Sequence, residues 1–318
     1  MASINSFFTS DVEKELLIGT YLFPYILFDG FQHDNPYSAT EIIADIVVDN
    51  LKIFVTRNGG LFSKPPEEFT DVLVSQKFLE NDIQSKLLFE DKFVRCANVV
   101  ICEFSLAGIV SEPLTQVHVS RAGLIDNHAL ITSGGGGREG YYHRTLYPTL
   151  QFFNNLWFSN RVVSMEILSK VAEVKNSSQL QELSKNLPEF AASAYYNYST
   201  QNISEALLDS WIVVEQIIDH LWEKHVNKLN DPKRCERLKD TRTYSTAVRI
   251  EILFLDEEID IKEYDIFQKA RKHRNDLAHR AQISLDSATE GMTAMKLAIE
   301  HIIQSEIADH DTARAISW

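Results

Sequence analysis

From Ile42 to Leu130 the apolar residues arrive mostly in short β-branched runs, IIADIVV, LKIFV, FVRCANVVICEF and TQVHV, separated by turn formers such as Asn58-Gly59-Gly60 and Pro65-Pro66. This spacing predicts strands and a β-rich domain. After the glycine run Gly134 to Gly137 the pattern changes: LYPTLQFFNNLWFSNRVVSMEILSKVAEV, LQELSKNL and EFAASAYYNY carry helical spacing and few turn formers. The expected fold class is α+β. A β-rich domain is expected over residues 1–145, a helical connector over 146–200 and an all-α helical bundle over 201–318.

Four segments after residue 200 are the most regular. Asn202 with Glu205 makes a capping-box pattern, and Leu207, Trp211, Val214, Ile218 and Leu221 then recur at steps of four and three, which predicts an amphipathic helix to about Lys228. A basic loop follows, then a second apolar helix from about Thr243 to Leu255. Asp260 with Glu263 offers a cap for a third helix carrying Tyr264, Phe267, Ala270, Leu277 and Ala281. Ser287 with Glu290 opens a fourth, whose core stripe is Met292, Met295, Ile299 and Ile302, with Gly291 a local weakness.

Composition narrows the class. The chain has 318 residues, 44% hydrophobic and 24% charged, which excludes disorder and a fibrous fold. Its longest apolar stretch, Leu16 to Phe28, is interrupted by Gly19 and Pro24 and falls short of the ~20 residues of a membrane span. No basic leader precedes it, so neither a signal peptide nor a membrane association is expected. Cys96, Cys102 and Cys235 are odd in number and form no C-x-x-C pair, which points to buried thiols in a reducing cytoplasm.

The net charge of -14 argues against nucleic-acid binding through a globally basic surface. Two short windows run against it. One holds Lys233, Arg234, Arg237, Lys239, Arg242 and Arg249, interleaved with Asp231, Glu236 and Asp240; the other holds Lys269, Arg271, Lys272, Arg274 and Arg280 against Asp276. These windows are where an anionic ligand is expected.

The third helix carries the chemistry. Its stripe Phe267, Ala270, Leu277, Ala281 includes Arg274, and a guanidinium on a packed face needs an anionic partner, either inside the protein or in a bound phosphate. The first helix has a matching oddity: Leu208, Trp211, Ile218 and Trp222 form a seam that includes Glu215, so a Glu215–Arg274 contact between packed helices is expected. His279 lies five residues after Arg274, about 140° further round an ideal helix. Asn275, four residues before His279, is placed to orient the imidazole, and Asp276 either tunes it or pairs on the surface with Arg280. Arg supplies a fixed forked charge for phosphate oxygens, whereas His both takes and gives protons near neutrality. That pairing suits RNA transesterification, in which the ribose 2'-hydroxyl is the internal nucleophile.

The segment RKHRNDLAHR, Arg271 to Arg280, contains RNDLAH and resembles the R-x4-6-H signature of the HEPN superfamily, with that family's polar residue directly after the Arg. ALLDSWIVVEQIIDHLW, Ala206 to Trp222, resembles the family's first helix, where an acidic residue follows a bulky one. The resemblance covers roughly residues 200–308. It implies a helical bundle that homodimerises so that two motifs face each other as a metal-independent endoribonuclease, with no cofactor. By that resemblance Arg274 and His279 are catalytic, Asn275 supports them and Glu215 is an accessory. The β-rich region ahead of the bundle is similar in layout to ApeA-like anti-phage proteins, which implies a sensing or specificity domain over residues 1–145 and antiviral defence or toxin biology with a phage-derived trigger or an antitoxin as a further partner. Flanking RNA phosphates are expected at Lys233, Arg234, Arg237, Lys239, Arg242, Arg271 and Lys272. The alternative reading is a catalytically silent dimer that serves as an interaction or nucleotide-binding module.

Other signals are weaker. His118, His128 and His143 match no metal-ligand spacing, and no metal site is expected. Ser133 to Gly137 lacks the Gly-Lys-Ser/Thr of a phosphate-cradling loop, and Cys96 has no neighbour that would make it a nucleophile. Tyr195, Tyr196 and Tyr198, with Tyr141 and Tyr142, could stack on bases but fit a core or dimer surface better.

Overall fold

An N-terminal antiparallel sheet followed by a helical region gives the chain an α+β layout. The computed structural model describes residues 15–22, 26–30, 36–65, 80–131, 161–165, 168, 180, 183–229, 231–280 and 283–303. It divides into two compact units: Met1–Val100 with Leu114–Glu173, and Ile101–Pro113 with Val174–Trp318.

In the first unit the strands are β1 (Glu15–Tyr21), β2 (Ile26–Phe28), β3 (Ile42–Val48), β4 (Leu51–Thr56) and β5 (Gly60–Ser63), followed by helix α1 (Glu80–Leu106), which continues past Val100, and by β6 (Ser120–Ile125), β7 (His128–Ile131) and β8 (Arg161–Val163). Six of them form one sheet in the order β3-β4-β5-β1-β6-β7, and every neighbouring pair is antiparallel. Asp49 and Asn50, both at positive φ (48° and 60°), turn β3 into β4 with Val48 opposite Leu51. Two successive left-handed residues match the strands' own twist, and Asp and Asn tolerate that conformation better than bulkier residues. Leu17, Tyr21, Phe62, Ala122 and Ala129 form the core of this sheet, with Tyr21 edge-on to Phe62 at 5.7 Å.

Three expected elements differ. FVRCANVVICEF lies inside α1 and is no strand. From Cys96 to Leu106 every residue is buried, the polar Asn98, Glu103 and Ser105 included, so this half of the helix has no exposed polar face to impose a 3.6-residue period, and its β-branched residues imitate a core strand. TQVHV is a 3-10 turn at Gln116–His118, where His118 Nδ1 accepts the Thr115 amide at 3.0 Å. Within the segment expected as helix from Leu146, Arg161–Val163 is β8, paired in parallel with β2 from Ile26 to Phe28; residues 146–160 lie outside the described ones.

The second unit contains α2 (Leu187–Ser199), α3 (Ile203–Asn227), α4 (Pro232–Leu238), α5 (Thr246–Leu255), α6 (Ile261–Arg280) and α7 (Leu285–Ile303). α3 is its axis: α2, α5, α6 and α7 all pack on it, and Leu207, Trp211, Val214, Ile218 and Leu221 are buried there. The second seam is interrupted, because Leu208 is 40% exposed. α2, expected within a connector, runs against α3, where Ser193 Oγ and Asn197 Nδ2 both donate to Asp209 Oδ2 at 2.6 and 2.9 Å.

Caps follow the sequence unevenly. At α6 both capping-box bonds form, Glu263 N to Asp260 Oδ1 and Asp260 N to Glu263 Oε2, each 2.8 Å. At α3 Asn202 occupies the cap position, yet its side chain donates to Asn197 Oδ1 and no side-chain cap forms. At α7 the capping hydroxyl is that of Ser284, which accepts the Ser287 amide; Ser287 itself is buried in the first turn. Ile302 is only half-buried, and Ile303 takes its place in the core. Gly291 is no weakness. A Cβ there would stand 2.6 Å from Leu207 Cδ1 and 2.9 Å from Ser210 Oγ, so glycine is what lets α7 approach α3.

Candidate functional site

α6 runs unbroken through Arg280 and therefore fixes the angular positions of its polar residues. Phe267 and Ala270 are buried, and Arg274, seven and four residues on, follows them on the packed side, where it is half-buried. His279 is exposed. About 140° of helix separates the two, so one protomer does not converge them on one point.

Arg274 Nη1 donates to Asn275 Oδ1 at 3.2 Å, and among the described residues this is its one hydrogen bond. Asn275 thus engages the arginine and not the imidazole it was expected to orient. The Glu215–Arg274 ion pair does not form among the described residues either. The Glu215 carboxylate accepts instead from Thr246 Oγ1 of α5 at 2.8 Å, because α5 packs on α3 and brings a donor to it first. Asp276 is half-buried on the same helix. Lys272 is exposed seven residues before His279, two turns along nearly the same line, whereas Arg271 is half-buried and donates from Nε to Gln268 Oε1 at 3.0 Å.

His273 bridges α6 to α7. Its Nε2 lies 2.5 Å from Glu290 Oε2, with Lys269 Nζ 3.9 Å from the other oxygen. A second bridge between the same helices joins His301 Nδ1 to Glu263 Oε1 at 2.7 Å, and the hydrogen bond to Glu263 raises the His301 pKa against the opposing effect of burial. Sequence spacing gave no hint of either bridge, since the partners lie 17 and 38 residues apart.

The other basic window is differently built. Lys233, Arg234, Arg237, Lys239 and Arg242 are exposed on α4 and the turn after it. Arg249 does not belong with them. It is 7% exposed, pairs with Asp219 and lies 5.9 Å over the Trp222 ring. Burial keeps the Asp219 carboxyl above its usual pKa even beside that arginine, with Glu215 and Glu223 adding to the rise.

The remaining candidates have local roles. His118 is bound to the Thr115 amide, and burial lowers its pKa; His128 Nδ1 lies 3.3 Å from Thr40 Oγ1; His143 lies outside the described residues. Cys96 is buried and donates to the Val48 carbonyl at 3.5 Å, and desolvation pushes its thiol up to about 11. Tyr195 is buried in the core and Tyr198 pairs its hydroxyl with Thr289 Oγ1 at 2.7 Å, while Tyr141, Tyr142 and Ser133 to Gly137 lie outside the described residues. No helix among the described residues is long and apolar enough to cross a membrane. No protein-family model, curated protein or solved structure matches this chain.

Proposed function

We propose that the helical unit is a metal-independent endoribonuclease of the HEPN type, acting as a cytoplasmic homodimer in prokaryotic antiviral defence or a toxin system. One observation carries this reading. Arg274 is a half-buried guanidinium whose one hydrogen bond among the described residues goes to a neutral amide, and Glu215, the carboxylate expected to pair with it, is held by Thr246. A desolvated guanidinium with donors left over favours the arrival of an anion, and its planar fork fits two phosphate oxygens.

In this mechanism Arg274 binds the scissile phosphate and the charge that grows on it. A His279 imidazole takes the proton of the ribose 2'-hydroxyl, whose oxygen forms a bond to phosphorus. The bond from phosphorus to the 5'-oxygen breaks, and an imidazolium protonates that oxygen as it leaves. The products are a 2',3'-cyclic phosphate and a free 5'-hydroxyl. The 140° between Arg274 and His279 is met by dimerisation, in which one protomer's His279 completes the other's Arg274 site. Asn275 steadies the guanidinium by accepting from its Nη1, Lys272 and Arg271 neutralise neighbouring phosphates, and Asp276 and Glu215 act as accessories.

The test is incubation of the purified chain with a mixed RNA pool in EDTA, beside His279→Ala and Arg274→Ala at matched fold and dimer content. Cutting that both substitutions abolish, with cyclic-phosphate ends, is the expected result; cutting retained by either, or different ends, overturns it. The same 140° separation favours a second reading, a catalytically silent dimer that binds nucleotides or a protein partner through Arg274. Under that reading no form cuts RNA, and Arg274→Ala loses nucleotide binding alone.

A further inference from the structure

The segment from Asp231 to Tyr244 is fastened to α3 almost wholly by groups other than its own cations. Trp222 Nε1 donates to the Leu238 carbonyl at 3.0 Å, and the Tyr244 ring stacks on Trp222 at 5.6 Å. Cys235 Sγ donates to the Val226 and Leu229 carbonyls at 3.4 and 3.5 Å. Asp231 accepts the Lys233 and Arg234 amides at 3.0 and 3.3 Å. Asp240 accepts the Arg242 amide at 3.1 Å and the Thr243 hydroxyl at 2.7 Å, bonds that hold its carboxyl below the usual pKa. Of the three carboxylates threaded through the segment, Asp231 is thereby engaged in capping α4 and Asp240 in the turn that follows it, and Glu236 is the third. The side chains of Lys233, Arg234, Arg237, Lys239 and Arg242 make no ion pair or hydrogen bond among the described residues, although the chain carries a net charge of -14. Exposed cations in an acidic protein ordinarily find carboxylates within reach. These five sit on a short, braced strip and pair with none among the described residues.

We infer that this strip is a preorganised docking surface for a polynucleotide phosphodiester backbone, read through charge alone and separately from the Arg274–His279 centre. The inference deepens the ribonuclease reading, from which it takes the substrate class. Three arginine forks suit phosphate oxygens. The strip's large apolar groups argue against a bilayer, because Leu238 is buried and Tyr244 is stacked on Trp222, leaving no side chain to enter the acyl region. The one aromatic residue between Asp231 and Tyr244 is Tyr244 itself, engaged by Trp222, so bases are not read and the sugar is not distinguished. Trp222 is a positioning residue here: it sets where the strip lies and touches no phosphate.

The experiment measures fluorescence anisotropy of single-stranded RNA and of the matching DNA, each of about 30 nucleotides, over a series of salt concentrations. DNA lacks the 2'-hydroxyl and cannot be cut by the proposed chemistry, so binding is separated from cleavage. Equal binding of both is expected, undiminished in His279→Ala and in Lys262→Gln, an exposed cation elsewhere. The triple variant Lys233→Gln, Arg237→Gln, Arg242→Gln should bind about a hundredfold more weakly at ~0.1 M salt and lower the log-log salt slope by about 2, at roughly 0.7 per single-strand phosphate contact. Unchanged affinity in the triple variant at preserved circular dichroism overturns the inference, as does binding of RNA but not DNA, or binding of phosphatidylserine vesicles in place of either oligonucleotide. Loss of cutting in His279→Ala with binding intact leaves the strip standing. Binding intact with no cutting by any form fails the ribonuclease reading and not this one.

Discussion

Two arginines on packed faces of the helical unit are satisfied in opposite ways. Arg249 on α5 is buried, paired with Asp219 and laid over Trp222, so its charge is spent on joining α5 to α3. Arg274 on α6 is half-buried and bonded to a neutral amide. A guanidinium matched by a carboxylate and an aromatic face belongs to the architecture, whereas one left with open donors in a partly dry setting is poised for a ligand. Residue type is the same in the two cases; burial is deeper at Arg249, and there the guanidinium has a carboxylate partner.

The strongest way to break this comparison is to remove each charge and read both activity and stability. Arg274→Ala and His279→Ala should each lower RNA cleavage by about 10²- to 10⁴-fold in single-turnover assays. Arg274→Ala should leave urea stability within ~0.5 kcal/mol of the parent, because it deletes a poorly paired charge. Arg249→Ala should do the reverse, costing about 2 kcal/mol through lost packing, ion pairing and ring contact, a figure kept low because Asp219 remains half-exposed to water. Equal stability losses at the two sites would erase the distinction.

Smaller effects test the frame that holds α6. Gly291→Ala forces a Cβ against Leu207 and Ser210 and should cost about 1–3 kcal/mol in chemical denaturation. The Glu263–His301 bridge predicts a pH dependence. The His301 pKa is raised by folding, so its contribution is complete below the unfolded value of about 6.5 and is lost as pH rises through the raised folded value. Parent stability should therefore fall across that window relative to His301→Gln, by less than about 1 kcal/mol; parallel curves for the two proteins would show the bridge to be idle.

The long elements of the helical unit were legible because their patterns are local, whereas the basic loop expected after Lys228 is in part helix α4, a seven-residue turn of helix capped by Asp231 and too short to show a period. Asp260 and Glu263 form their cap within one turn, and the stripe from Leu207 to Leu221 is buried as its spacing requires. α1 was not legible as a helix, since its second half, from Cys96 to Leu106, is buried all round and has no period to read; its 27 residues without glycine or proline were the available signal, too long for a strand. The candidate site divides along the same line. Arg274 and Asn275 were identifiable as neighbours in sequence, but Thr246 reaches Glu215 across 31 residues and Glu290 reaches His273 across 17. Contacts of that range depend on how helices pack, which single-sequence patterns do not encode.

Trp222 has an optical consequence. Its indole stacks with the His225 and Tyr244 rings at 5.3 and 5.6 Å, with the Arg249 guanidinium 5.9 Å from its centroid and Asp256 3.3 Å from the His225 imidazole. The chain has four tryptophans, and with the other three replaced this indole is an intrinsic fluorophore that reports the seating of Tyr244 on its ring. Its brightness can be followed as the neighbouring cationic segment is loaded, without attaching a dye to the chain.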